Sequence, residues 1–167
     1  SFQDIYDRYS ELVYNVCFNY LHNTEDAQEA MQDVFIRVHQ SIDSFQEDST
    51  LKTWIYRIAI NYCLDRIKAQ KAQKRFAKIQ SLFGFSENSS IAVDFNHPGV
   101  KLEDKEAVES IMTAIDLLPT NQKTALILKS LEGLTQREIA EVMNIGEKAA
   151  ESLLSRAKMN LIKKLNA

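Results

Sequence analysis

The chain has 167 residues, 45% of them hydrophobic and 26% charged, with a formal net charge of −3. That composition excludes gross disorder and allows one core of ordinary size or two small ones. An acidic chain is poorly suited to holding DNA unaided, because neutralising phosphates supplies most non-specific affinity, so any nucleic-acid function calls for a helper.

The chain has only 4 Gly and 2 Pro, and its apolar residues recur with helical period, which predicts an all-α protein. Phe2, Ile5, Tyr6, Tyr9, Leu12, Val13, Val16, Cys17, Tyr20 and Leu21 mark a first helix, which His22-Asn23 breaks. Thr24 starts a second, with Glu25 and Asp26 in the first turn where the helix dipole favours acids. Its core stripe is Ala27, Ala30, Met31, Val34, Phe35 and Val38. The opposite face gathers Gln28, Glu29, Gln32, Asp33, Ile36 and Arg37, which suits either a protein-docking surface or a solvated helix face. Residues 41–49 read as a loop around Ile42 and Phe45, after which Ser49 or Thr50 caps a third helix. Leu51, Trp54, Ile55, Ile58, Ala59, Tyr62, Cys63 and Ile67 form its stripe. Lys52, Thr53, Tyr56, Arg57, Asn61, Asp65 and Lys68 lie on its other face, followed by a basic run of Lys71, Lys74, Arg75 and Lys78 with no acid among them. Aromatic rings beside cations suit single-stranded nucleic acid, where bases stack and cations follow the backbone. Trp54 also fits a core position.

From 77 to 104 the helical period fades through Ser81–Ser90 and Phe95–Gly99, a length that predicts an inter-domain linker. Leu82, Phe83 and Phe85 are too apolar for an inert tether and imply that it docks. Val108, Ile111, Met112, Ile115 and Leu118 mark a fourth helix, ended by Pro119. Thr120 starts a fifth with Ala125, Leu128 and Leu131, which Gly133 closes. Cys17 and Cys63 fall on apolar stripes without ligand-spaced neighbours and read as core thiols, and His22, His39 and His97 are scattered, so no metal site, cofactor or catalytic group is expected. No apolar run reaches the length of a membrane span, and nothing near Ser1 resembles a signal peptide, so no membrane insertion is expected and the cytoplasm is the default location.

The last stretch has the order of features a helix-turn-helix needs. Thr135 and Glu138 make a capping box. Ile139, Val142 and Met143 form a buried stripe, and Ala140 leaves room for a second helix to cross. Asn144 suits a left-handed helix end, and Gly146 keeps the turn open. In the second helix Ala150, Leu153, Leu154, Ala157, Leu161 and Leu165 recur at three and four. Lys148, Ala149, Ser152, Ser155, Arg156 and Met159 are left on a face able to enter a major groove. Arg156, Lys158, Lys163 and Lys164 add cations toward its C-terminus, where they also suit the dipole.

On three ordered stretches the chain resembles a bacterial RNA polymerase sigma factor of the extracytoplasmic function group, over essentially its whole length. Asp26–Val38 looks like the region 2 polymerase-docking helix. Thr53–Asn61 with Asp65-Arg66 looks like the helix at the −10 promoter element. Leu118-Pro119 through Ala157-Lys158 looks like region 4, which reads the −35 element. The resemblance implies two small helical domains, residues 1–76 and 105–167, joined by a flexible linker over 77–104. It implies a non-enzymatic factor whose partners are core RNA polymerase, promoter DNA and an anti-sigma factor. Core polymerase binding falls to Asp26, Glu29, Gln32, Asp33, Ile36 and Arg37; −10 contacts to Lys52, Tyr56, Arg57 and Asn61; and −35 contacts to Gly146, Glu147, Lys148, Ala149, Ser152, Ser155 and Arg156. The family often has cations at the positions of Glu151 and Leu153 and a tryptophan at that of His39. Two rivals are a stand-alone helix-turn-helix regulator with an N-terminal helical sensor domain, which would form homodimers on palindromic sites, and a helical carboxylate metalloenzyme, which lacks the Glu-x-x-His pairs it would need.

Overall fold

A computed structural model describes residues 1–46, 49–84 and 102–167, with the side chains of Leu102 and Glu103 excepted; the expected linker lies largely outside them, Phe85 and His97 included. The described residues form helices and no strands. Helix α1 (Phe2–Leu21) opens with a capping box of Ser1 and Asp4, and ends at His22, whose backbone is left-handed at φ 56°. Asn23 then accepts the Asp26 N–H to cap α2 (Thr24–Ser41), a single 3-10 turn follows over Ile42–Ser44, and Thr50 caps α3 (Leu51–Leu82). The three helices close on Val13, Val16, Cys17, Val34, Val38, Ile55, Ala59 and Cys63, all buried. The Cys63 thiol and burial together push the Cys17 thiol far above its usual range, so it stays an inert packing group.

Helix α3 runs through position 77 without a break. From Lys71 onward every described side chain on it is exposed. Ala, Gln and Lys are good helix formers, and their propensity carries the helix where packing has ended, a feature that fading hydrophobic period conceals. Leu82 and Phe83, expected to dock, are each 78% exposed at its tip.

The C-terminal half begins with α4 (Leu102–Asp116). Met112, Ala114, Ile115 and Leu118 are buried in and just after this helix, while Val108 and Ile111 are 38% and 42% exposed. Helix α5 (Thr120–Leu126) continues into a π-helical turn over Ile127–Leu131, which rotates the buried face relative to an α-helical continuation. Ile127 and Leu128 are therefore fully buried while Leu131, expected inside, is exposed. Gly133 turns the chain at φ 70° into α6 (Gln136–Met143), which opens with the Thr135–Glu138 capping box. Asn144 ends α6 at φ 55°, and α7 (Glu147–Leu165) follows. Gly146, expected to keep that turn open, has an extended backbone and open space where a Cβ would stand, so Asn144 alone supplies the left-handed residue. Ala150, Leu154 and Ala157 of α7 are buried, Leu153 and Leu161 pack at the margin, and Leu165 is exposed.

Because Asn144 holds a left-handed backbone that most side chains adopt only under strain, Asn144→Ala should lower unfolding stability by about 1–2 kcal/mol in urea titration. Asn144→Gly should stay within about 1 kcal/mol of the parent.

Candidate functional site

Three surfaces gather the residues singled out in the sequence. On α2, Glu29, Gln32, Ile36 and Arg37 are exposed, with Ile36 at 55%. Asp26 and Asp33 are half-buried and tied to α3. Arg66 pairs with Asp26 at 3.1 Å, the Tyr62 hydroxyl donates to the Asp33 carboxylate, and Arg66 donates to the Tyr62 oxygen. Arg37 lies over the Tyr62 ring at 4.9 Å. Burial and the Asp33 carboxylate raise the Tyr62 pKa, so it remains a donor. Asp26 and Asp33 therefore hold α2 at its angle on α3, and the exposed part of the face is Gln32 and Ile36 with Glu29, which lies 3.6 Å from Arg66, and Arg37 over the Tyr62 ring. Beside them Phe2, Phe35, Ile36 and His39 line a shallow apolar groove between α1 and α2.

On α3, Lys52 and Asn61 are exposed, Arg57 is half-buried and Tyr56 is 2% exposed. What covers them is the C-terminal half. Arg57 donates from Nε to the Val142 carbonyl at 3.2 Å and from Nη2 to the Glu141 carbonyl, capping α6 at the negative end of its dipole. Tyr56 donates to Glu132 at 3.4 Å, and Lys52 sits 3.5 Å from Glu138, the capping-box acid. Thr53 and Ile60, on the same side, are also buried. Tyr56 was expected on an open nucleic-acid face, and the structure places it instead in the contact between the two halves.

On α7, Gly146, Glu147, Lys148, Ala149, Ser152, Ser155 and Arg156 are all exposed, as is Glu151, away from the buried stripe of Ala150, Leu154 and Ala157. Helix α6 packs behind through Ile139, Ala140 and Val142. Gln136 donates to the Glu147 carbonyl at 3.1 Å, which ties the starts of the two helices together. This is a helix-turn-helix with its second helix uncovered.

One apolar cluster runs through both halves, and polar pairs join them around it. The Asp116 carboxylate lies 2.8 Å from His22 Nε2 and 3.1 Å from Lys123, whose ammonium stands 5.1 Å from the centre of the Tyr20 ring. The Tyr20 hydroxyl bonds Thr124. Burial opposes ionisation of Asp116, but His22 and Lys123 outweigh it and hold the carboxyl below its ordinary value. Glu132 goes the other way. Burial pushes its pKa up to about 7, only partly offset by bonds from Tyr56 and from Asn19 at 3.3 Å. Sequence reasoning missed Glu132, His22 and Asp116 and the anchoring of Arg66 on α2, because their partners lie far off in the chain and no local spacing marks them. Among the described residues no group of His, Cys, Asp and Glu side chains is arranged to hold a metal, and no helix is long and apolar enough to cross a membrane.

Two family models match the chain, Sigma-70 region 2 over residues 5–73 and Sigma-70, region 4 over residues 108–161. The ECF RNA polymerase sigma factor SigW of Bacillus subtilis is 32% identical over 166 residues, covering 99% of this chain and 89% of that protein. The ECF RNA polymerase sigma-E factor of Escherichia coli is 27% identical over 152 residues, covering 90% and 79%. Among solved structures, the fold is shared with CnrH in complex with the cytosolic domain of CnrY (TM-score 0.67, 19% identity, 99% of this chain and 87% of that one). It is shared also with the sigma factor RpoE of Bartonella quintana in complex with the anti-sigma factor NepR (TM-score 0.65, 21% identity, 99% and 97%).

Glu132 gives the contact between the halves a pH dependence of known sign. Its pKa is raised in the closed form, so its contribution to closure is full below the ordinary value of 4.5 and fades as pH rises through about 7. Asp116 contributes in the opposite sense, losing its share only when pH falls through its lowered value. With fluorophores on the two halves, energy transfer should drop between pH 5 and 8 in the parent, and Glu132→Gln should flatten that drop.

Proposed function

The chain belongs to the sigma-70 family, in its extracytoplasmic function group, and we propose that its three surfaces divide the work of initiation among them. It is a sigma factor that directs transcription initiation, and the stand-alone regulator is not favoured. In this reading the exposed part of the α2 face, Glu29, Gln32, Ile36 and Arg37, docks on core RNA polymerase, with Asp26 and Asp33 fixing the helix beneath. Lys52, Tyr56, Arg57 and Asn61 of α3 capture the −10 element as it melts. Gly146, Glu147, Lys148, Ala149, Ser152, Ser155 and Arg156 of α7 read the −35 element. The polymerase supplies the chemistry and the factor supplies specificity, acting in the cytoplasm where promoter and polymerase meet. Residues 1–76 and 105–167 serve as the two domains and 77–104 as their connector, the end of α3 being its helical part.

The observation that carries this reading is the uncovered face of α7 on a helix-turn-helix whose other half presents an exposed docking helix. Partner binding also accounts for the acidic net charge of −3, because a large partner raises the effective concentration of DNA at a weak reader. Closure of the two halves occupies Tyr56 and Arg57, so −10 capture requires them to part. We extend to this chain the kind of partner that the Bartonella structure contains: an anti-sigma factor that holds the two halves together.

Run-off transcription with purified core polymerase tests the whole reading; absence of promoter-directed transcripts on any candidate promoter would overturn it. Ile36→Glu should lower core affinity at least tenfold with helicity unchanged, and full affinity would move the docking surface elsewhere. This position separates docking from folding better than Asp33, whose carboxylate also anchors Tyr62. On a matched −35 element Arg156→Ala should cost about 1–3 kcal/mol and relax specificity, whereas Lys148→Ala should weaken binding evenly and reduce the salt slope by about one. Glu151→Lys should raise affinity for mismatched DNA, since the carboxylate there repels phosphate.

A further inference from the structure

The half of α3 that packs against nothing has an ordered surface of its own. Arg57, Asn61, Lys68, Lys71, Arg75 and Lys78 are separated by steps of three, four and seven, which places them on a single slowly drifting stripe of the helix. Lys68, Lys71, Arg75 and Lys78 are exposed, and among the described residues none of them is ion-paired. Lys74 stands beside them, and no acid occurs from 66 through 82. Cations spaced three and four apart on a solvated helix repel one another. In a chain of net charge −3, this concentration of positive charge fits a polyanion brought alongside.

We propose that Lys68, Lys71, Arg75 and Lys78 form a phosphate-binding track that holds the double-stranded spacer between the −10 and −35 elements. The proposal rests on the sigma-factor reading and extends its α3 surface. The stripe begins at the residues assigned to the −10 element, and its distal end is where the chain departs toward the −35 reader, so the duplex it faces is the spacer. Ten residues of helix rise about 15 Å, the length of four base pairs. An anionic membrane is the other polyanion that a basic helix could meet. The exposed apolar side chains Phe76, Ile79, Leu82 and Phe83 are confined to the last two turns, however, while the cations extend beyond them toward Asn61 and stay in line with it. In the closed form Arg57 is engaged by α6 while the distal stripe is free, so the track is open to DNA before the halves part.

The test compares the parent chain with a variant carrying Lys68→Gln, Lys71→Gln, Arg75→Gln and Lys78→Gln, each assembled with core polymerase and titrated on one promoter across a range of salt. Gln keeps the helix propensity, and circular dichroism with a core-binding assay checks that fold and assembly are unchanged. The slope of log affinity against log salt should become shallower by about 3–4 units, with at least tenfold weaker binding at low salt. The difference should disappear on a probe whose spacer is single-stranded and flexible. A slope within one unit of the parent would overturn the track, and so would an unchanged slope accompanied by lost binding to phosphatidylserine vesicles, which would assign the stripe to a membrane surface. If the parent itself fails to direct polymerase to any promoter, the underlying reading fails first and the track with it.

Discussion

Helix α3 is covered on two sides, and the arrangement of the rest follows from that. One side sends Ile55, Ala59 and Cys63 into the core shared with α1 and α2, and the other lays Thr53, Tyr56 and Ile60 against the C-terminal half. The second side carries fewer apolar residues, so its cover combines Ile60 with polar groups. Arg57 finds two carbonyls in the last turn of α6, and Tyr56 finds Glu132.

The two covers therefore differ in kind. The first is dry and apolar, made of fully buried valines, alanines and thiols, and it holds α1, α2 and α3 as one unit. The second adds to its apolar packing a set of ionisable groups with partners across the contact: Arg57, Glu132, and the cluster of His22, Asp116 and Lys123. Groups of that sort exchange hydrogen bonds with water at modest net cost when surfaces separate, whereas apolar side chains do not. The contact is built to be released, and the three-helix unit is built to stay.

What the sequence makes legible is set by periodicity and by local caps. The stripes of α1, α2 and the first half of α3, the capping box at Thr135 and the left-handed Asn144 are all local, and each stands where the spacing puts it. Asparagine at a helix end is a signal read within four residues. Tyr56 is buried where an open face was expected, because distant residues close over it, Glu132 among them at 76 positions away. Leu131 was misplaced because a π turn adds an extra residue to the cycle, which a count of threes and fours does not anticipate. The length of α3 past residue 76 was hidden for the reverse reason: a helix sustained by propensity alone leaves no apolar period to find. Of the surfaces, the α7 face was fully legible, since nothing distant covers it. The α2 face was legible in outline, but the sequence could not separate Asp26 and Asp33, which hold the scaffold, from Ile36, which faces outward.

The hold of Arg57 on the last carbonyls of α6 sets an exchange rate between shape and affinity. One guanidinium cannot cap a helix and grip a nucleic-acid strand at the same moment, so on the proposed assignment of Arg57 to the −10 element the closed molecules in a population would be silent toward that strand. The dissociation constant measured for the free chain is then the intrinsic one divided by the fraction standing open. Any partner that prefers the open molecule returns that factor as apparent cooperativity with DNA without touching the DNA itself. Any partner that prefers the closed one enlarges it.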